Sequence, residues 1–218
     1  MMMSIADQVK RIKQELQGQI IVAATKYVEA DRIRELVSAG INDVGENRVQ
    51  DLIRKQDQLS DLSLRWHFIG SLQSNKVKLI VNRIDFLHSL DRVSLAQAIQ
   101  QYRENKPLDC FIEVHIAQES TKSGLPCEET SDFIRNLAEY DKIRVVGLMG
   151  MATLTNELDQ IGGEFQCLLK LRDDIQARHW QHAPCQFLSM GMSNDYRIAL
   201  EHGATHLRLG SVLFRNGG

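Results

Sequence analysis

A lysine at the end of a buried strand is the residue of this chain best suited to covalent chemistry. Lys26 ends the apolar run of residues 20–25, which is aliphatic, partly β-branched and uncharged, and so predicts a short buried strand. Burial of the lysine stem would disfavour the ammonium form, and the neutral amine could then condense with an aldehyde or ketone. The alternative is a lysine that snorkels, with its charged head in water. The strand taken alone favours this alternative.

Two turns near the other end of the sequence predict anion binding. The first contains Gly191 and Ser193, and we expect Ser193 to cap a helix that has Asp195 in its first turn. The second contains Gly210 and Ser211, directly after a short strand. An open helix start preceded by glycine and serine offers free N–H groups to an anion. Either turn alone is ordinary loop chemistry, but two in consecutive strand–helix units are more specific.

Strand-like and helix-like segments alternate along the chain after an amphipathic first helix near residues 5–16. The predicted strands are residues 20–25, 43–45, 66–69, 84–88, 110–115, 144–148, 186–188 and 206–209. The predicted helices are residues 31–39, 48–58, 75–81, 92–102, 130–140, 157–178 and 195–201. About eight such units close a parallel barrel. We therefore predict an α/β fold, a single (β/α)8 TIM-type barrel spanning residues 1–218 and preceded by an N-terminal helix. A doubly wound open sheet is the competing architecture.

The barrel would gather the reactive groups at one end. In a closed barrel the first strand lies between the second and the eighth, so Lys26 would be flanked by Asn47 on one side and Arg208 on the other. Binding and catalytic groups of this fold lie at the carboxyl ends of the strands. This convergence favours a functional lysine over a snorkelling one.

Composition narrows the class of protein. The 218 residues carry 26 basic and 28 acidic side chains, so charge gives no case for nucleic acid as a partner. The hydrophobic share of 43% includes no stretch long enough to span a bilayer, and the first residues lack the apolar core of a signal peptide. Four cysteines without a CxxC pair indicate reduced thiols. We expect a cytoplasmic monomer without a metal site or a membrane partner.

Six sequence blocks, taken together and in order, carry a family resemblance. They are VAATK (22–26), GENRVQ (45–50), WHFIGSLQSNK (66–76), GLMGM (147–151), LSMGMSND (188–195) and RLGS (208–211). With them the chain resembles, over nearly its full length, the pyridoxal 5′-phosphate (PLP) homeostasis protein family. These proteins are small single-domain relatives of the alanine racemase barrel.

The resemblance implies a cofactor site. Lys26 would form an imine with the aldehyde carbon of PLP, and Arg208 would face the pyridine nitrogen. Ser193 and the backbone N–H groups around Gly210 and Ser211 would hold the phosphate. The resemblance implies three further lining residues: Asn47, His67 and Met192.

The resemblance also implies a binding rather than a catalytic role. A fixed arginine disfavours protonation of the ring nitrogen and so weakens the ring as an electron sink. Related racemases use a second, β-rich domain and a tyrosine base on the opposite ring face, and we expect neither here. The prediction is a protein that buffers or delivers PLP, through transient contact with apo-enzymes, and that has no catalytic residues or substantial turnover. The alternatives are a minimal PLP-dependent amino-acid racemase and a Schiff-base aldolase of the same barrel type.

Overall fold

Within the described residues, eight parallel strands close into a barrel. The computed structural model describes residues 4–104, 106–119 and 123–214. The barrel strands are β1 (Ile20–Ala24), β2 (Asp43–Glu46), β3 (Arg65–Phe68), β4 (Phe86–Leu90), β5 (Leu108–His115), β7 (Ile143–Gly150), β8 (Phe187–Ser189) and β9 (His206–Leu209). A two-residue strand, β6 (Leu125–Pro126), pairs with β5 outside the ring. Each predicted strand is confirmed, and the open-sheet alternative is wrong because β4 pairs with β5 and completes the ring.

Helices follow the strands as the predicted pattern requires. They are α1 (Ile5–Glu15), α2 (Ala30–Ser38), α3 (Val49–Gln58), α4 (Val77–Ile80), α5 (Val93–Tyr102), α6 (Cys127–Asn136), α7 (Leu158–Gln176), α8 (Tyr196–Glu201) and α9 (Ser211–Phe214). Single 3₁₀ turns, Ser74–Lys76 and Leu137–Glu139, precede α4 and follow α6. Sequence periodicity missed α9 and β6, because elements of two to four residues are too short to show a period.

The first helix belongs to the packed structure. Its N-cap is Ser4, whose hydroxyl accepts a hydrogen bond from the Asp7 N–H at 3.1 Å while the Asp7 carboxylate accepts one from the Ser4 N–H at 3.2 Å. This reciprocal pair satisfies two of the donors that a helix start leaves open. Ile5, Val9 and Ile12 then form a buried stripe at helical spacing. The predicted N-terminal helix is therefore confirmed.

Strand register decides which residues meet at the carboxyl end of the barrel. β1 lies between β2 and β9, with Ala24 opposite Gly45 on one side and Val22 opposite Arg208 on the other. Residues just beyond Ala24 therefore lie between the ends of β2 and β9. The register therefore confirms that the strand before Lys26 lies between β2 and β9, and it sets Arg208 opposite Val22, four residues before Lys26.

Three general features of the described residues bear on function. The four cysteines, Cys110, Cys127, Cys167 and Cys185, are free thiols. The part of the chain that the structure describes contains no helix long and apolar enough to cross a bilayer. Nor do its histidine, cysteine and acidic side chains form a group of three or more that could hold a metal ion.

Candidate cofactor site

A cleft of about 540 Å³ opens at the carboxyl end of the barrel. Small-molecule sites commonly have volumes of about 300–1,000 Å³. Seven of the eight residues predicted for the site line this cleft: Lys26, Asn47, Met192, Ser193, Arg208, Gly210 and Ser211. The loop after β7 supplies much of the remaining wall, from Met151 to Leu154. Sequence reasoning did not assign this loop to the site, since a methionine such as Met151 is as typical of core packing as of a ligand wall.

Lys26 lies in a turn two residues beyond β1. The expectation that its stem is buried is wrong, because the side chain is exposed at the mouth of the cleft. The following residue, Tyr27, is 85% exposed and has a φ of 65°, in the left-handed region that non-glycine residues seldom adopt. The strand ends at Ala24, and Lys26 lies in the exposed turn that follows it.

A buried ion pair lies directly beneath this turn. The Lys55 ammonium contacts the Glu46 carboxylate at 2.5 Å and donates a second hydrogen bond, of 2.7 Å, to the carbonyl of Thr25. The Thr25 hydroxyl also donates to Glu46. Both charged side chains are 1% exposed, so the pair is enclosed by protein. It ties the residue before Lys26 to α3 and to the end of β2.

Sequence reasoning missed this pair, although the sequence contained a signal for it. The buried face of α3 consists of Val49, Leu52 and Lys55, spaced three residues apart. A lysine on an otherwise apolar helical stripe is rarely buried without a partner. Glu46, at the end of a buried strand, was the available carboxylate.

Arg208 is held rigidly at the inner wall of the cleft. One guanidinium nitrogen, Nη1, donates to the Ser189 carbonyl at 2.6 Å and to the Ser189 hydroxyl at 2.7 Å, and Nη2 donates to the Gly150 carbonyl at 3.0 Å. Burial lowers the pKa of Arg208 to about 10, which leaves it a cation at neutral pH. A guanidinium has five N–H donors. These three bonds leave Nε–H and one Nη2–H for other partners.

The two predicted phosphate turns meet in the structure. The Ser193 hydroxyl accepts hydrogen bonds from the backbone N–H groups of Gly210 and Val212, both at 3.2 Å. The expectation that Ser193 caps the helix after it is wrong: the N-cap of α8 is Asp195, and Ser193 instead contacts the start of α9. Gly191 has the predicted tight turn, with a φ of 88°. This turn directs the chain from β8 across to the end of β9.

Asn47 contributes an unsatisfied acceptor to the cleft wall. Its Oδ1 atom is buried and has no hydrogen-bond partner among the described residues. The backbone of Gly70 packs so closely against the backbone of Asn47 that a Cβ at residue 70 would lie 2.4 Å from the Asn47 carbonyl oxygen. A buried acceptor without a partner costs about 1–3 kcal/mol. A ligand with a hydrogen-bond donor would remove this cost.

His67 is the predicted lining residue that the structure does not bring to the cleft. Its side chain is fully buried in the barrel interior, and both ring nitrogens bond to protein groups, Asp43 and His88, each at 2.9 Å. The ring also stacks on Phe86, with 4.5 Å between centroids. His67 points inward as expected, but from a position too deep in the barrel to line the mouth.

Comparison with known proteins agrees with the fold. A family model described as the N-terminal domain of alanine racemase matches residues 2–216. The chain therefore belongs to the family of the alanine racemase N-terminal domain. Within that family its relatives are pyridoxal phosphate homeostasis proteins. The protein of that name from Aquifex aeolicus (strain VF5) is 39% identical, over 89% of this chain and 85% of the relative. The one from Pseudomonas aeruginosa is 35% identical, over 89% and 83%.

Solved structures show the same relationship. PipY of Synechococcus elongatus PCC7942, solved without PLP, superposes with a TM-score of 0.90 at 30% identity, covering 97% of this chain and 100% of PipY. The PipY structure with PLP bound gives a TM-score of 0.87 at 29% identity, with the same coverage. Alanine racemase from E. faecalis shares the fold, with a TM-score of 0.75 at 14% identity over 96% of this chain and 57% of that enzyme.

Proposed function

We propose that this protein binds PLP in the cleft at the carboxyl end of the barrel and buffers or delivers the cofactor, so maintaining PLP homeostasis. The observation that carries the proposal is that one cleft brings together Lys26, Arg208 and the Ser193 turn. The names of its relatives and the PLP-bound structure of PipY support it.

The chemistry of the cleft fits this cofactor. The Ser193 hydroxyl accepts from the N–H groups of Gly210 and Val212, so its own hydrogen can be donated to a phosphate, which accepts hydrogen bonds from hydroxyl donors. The unsatisfied Oδ1 of Asn47 suits a donor such as the phenolic hydroxyl of the ring. Arg208 retains two N–H groups, one of which suits an unprotonated pyridine nitrogen as acceptor.

Lys26 is the residue we propose for covalent attachment. Its amine lines the cleft and is exposed, so an aldehyde entering from solvent can reach it. The Lys55–Glu46 pair holds the preceding carbonyl and limits where the amine can go. Imine formation joins the Lys26 nitrogen to the aldehyde carbon and releases one water molecule.

The same residues disfavour catalysis on amino acids. PLP supplies an electron sink when its ring nitrogen is protonated, and the fixed Arg208 cation disfavours that protonation. Two-sided proton transfer needs a second acid–base group besides the lysine. The carboxylate that lines the described cleft, Asp195, accepts a hydrogen bond from the Met192 N–H at 2.6 Å. The racemase alternative is therefore not favoured. The proposal also describes the protein as a cytoplasmic monomer without substantial turnover.

Borohydride trapping tests the covalent site. Reduction of the PLP-loaded protein should attach the cofactor to the peptide containing Lys26, and Lys26→Ala should lose the label. Lys10→Ala, which removes an exposed lysine of α1, is the matched control and should label like the wild type. Label on a different lysine, or full labelling of Lys26→Ala, would refute the assignment.

Two assays test binding against catalysis. The first follows exchange of the α-proton of alanine in deuterated water with the loaded protein, and we expect none above background. The second follows activation of a cofactor-free acceptor enzyme, and we expect activation upon addition of loaded protein. Rapid exchange that disappears in Lys26→Ala would instead establish an enzyme.

A further inference from the structure

A continuous chain of buried hydrogen bonds runs through the barrel from the cleft to its opposite end. Arg208 donates to the Ser189 hydroxyl at 2.7 Å, and that hydroxyl lies 2.9 Å from Nδ1 of His88. Nε2 of His88 lies 2.9 Å from Nδ1 of His67, and Nε2 of His67 lies 2.9 Å from the carboxylate of Asp43. All five side chains are buried. Asp43 is the first residue of β2, so the chain ends at the amino-terminal side of the barrel.

The chemistry of the two ends dictates the direction of each bond. A guanidinium can only donate, so the Ser189 oxygen accepts from Arg208 and its hydrogen is free to donate to His88. His88 then accepts at Nδ1 and carries its hydrogen on Nε2, which donates to His67. By the same reasoning His67 carries its hydrogen on Nε2.

The charges of the groups agree with this direction. Burial lowers the pKa of His67, and lowers that of His88 well below its ordinary value, so both rings are neutral. Burial would raise the pKa of Asp43, but hydrogen bonds from His67 and Arg65 outweigh it and the net shift is downward. The chain of hydrogen bonds thus ends on the Asp43 carboxylate, which accepts a further hydrogen bond of 2.6 Å from Arg65.

We propose that Asp43, His67, His88 and Ser189 act as positioning residues that orient the Arg208 guanidinium for the ligand in the cleft. The hydroxyl of Ser189 can present a lone pair to Arg208 because its hydrogen is taken by His88. Loss of that acceptor leaves the hydroxyl hydrogen without a partner, so the hydroxyl is no longer fixed with its lone pair towards Arg208. This inference rests on the proposed function, because it assigns the way in which Arg208 is kept in place for PLP.

His206 supplies a matched control in the same interior. It is 1% exposed, and its ring centroid lies 6.4 Å from that of His88 and 5.1 Å from that of Phe111. Its Nδ1, however, pairs with the Thr205 hydroxyl at 2.9 Å and not with one of the five hydrogen-bonded side chains that link Arg208 to Asp43. His206→Phe therefore removes an equally buried imidazole and leaves the five-residue chain whole.

The first test needs no cofactor. Nitrogen NMR of the histidine rings in cofactor-free protein at neutral pH should show His67 and His88 as neutral rings protonated on Nε2. A proton on Nδ1 of either ring, or a doubly protonated ring, would overturn the proposal. This result does not depend on whether the protein binds PLP.

The second test compares PLP affinity by absorption titration. His88→Phe should weaken binding by about tenfold or more, the effect of one lost hydrogen bond to a charged group, and should shift the absorption of the bound cofactor. His206→Phe should stay within about twofold of the wild type, since no bond to Arg208 changes. Ser189→Ala removes only the hydroxyl oxygen, and it tests the positioning role if His88→Phe does not fold. Its PLP affinity should fall by the same factor as that expected for His88→Phe.

The outcomes separate the two proposals. Equal affinity of wild type and Ser189→Ala, or equal losses in His88→Phe and His206→Phe, would overturn the positioning role. Failure of the wild type to bind PLP at all would overturn the proposed function, whereas the histidine tautomers would still report on the chain.

Discussion

Removal of the Lys55 side-chain charge should destabilise the protein far more than removal of a surface charge. In Lys55→Met the Glu46 carboxylate loses its partner while it stays buried, and the Thr25 carbonyl loses the hydrogen bond from Nζ. Breaking a buried pair in this way costs roughly 3–5 kcal/mol, because an uncompensated charge is left in the interior.

The expected size of the effect can be measured as a change in Tm. For a chain of 218 residues, each kcal/mol corresponds to a shift of about 2–4 °C. Lys55→Met should therefore lower Tm by about 10 °C. The double variant Lys55→Met/Glu46→Gln removes both charges of this pair and should recover at least half of that loss.

A surface pair provides the control. Arg34 and Asp61 form a bidentate ion pair with bonds of 2.6 and 2.9 Å, but their side chains are 41% and 60% exposed. Exposed pairs contribute about 0–1 kcal/mol, so Arg34→Met should lower Tm by less than about 4 °C. Thermal unfolding followed by circular dichroism makes the comparison. Equal shifts for Lys55→Met and Arg34→Met would refute the reasoning, as would a double variant less stable than Lys55→Met.

Three other perturbations have defined outcomes. Burial lowers the pKa of His206 from 6.5 to about 3. On acidification this imidazole is therefore protonated in the unfolded chain before it is protonated in the folded protein, and the free energy of unfolding falls as pH drops from 6.5 towards 3. Urea denaturation should show a loss of about 2 kcal/mol from this residue between pH 7 and pH 5, and the loss should be smaller in His206→Phe. Gly191→Ala should lower the free energy of unfolding by about 1–3 kcal/mol, because the φ of Gly191 is 88° and the new Cβ would lie 2.7 Å from the Cβ of Ala199. Gly163→Ala is the control and should not destabilise the protein, since a Cβ there would have no neighbour within 4 Å. Tyr27→Asn should stabilise by up to about 1 kcal/mol, since asparagine tolerates the left-handed backbone and Tyr27 is 85% exposed; a loss of stability in the same denaturation assay would show that the Tyr27 side chain packs.

The regular pattern of the chain made most of the architecture predictable. Apolar strands, helical periodicity and their alternation are local properties, and a parallel barrel turns chain neighbours into spatial neighbours. For that reason the sequence alone was sufficient to place the strand before Lys26 between the strands that precede Asn47 and contain Arg208, and the strand order confirms it. The meeting of the Ser193 and Gly210 turns follows from the same rule, since β8 and β9 are adjacent.

What the tertiary structure alone decided is the depth and the partners of individual side chains. His67 was expected at the cleft and lies in the interior, because an inward-pointing residue reaches the mouth only from the last layer of its strand. Lys26 was expected to be partly buried and is exposed, because it lies in the turn after the strand and not in the strand itself. The bond between His88 and Ser189 joins residues 101 positions apart in the sequence. Hydrogen bonds of a buried polar group depend on atoms that only folding brings within 3 Å of it, and no local pattern in the sequence encodes that distance.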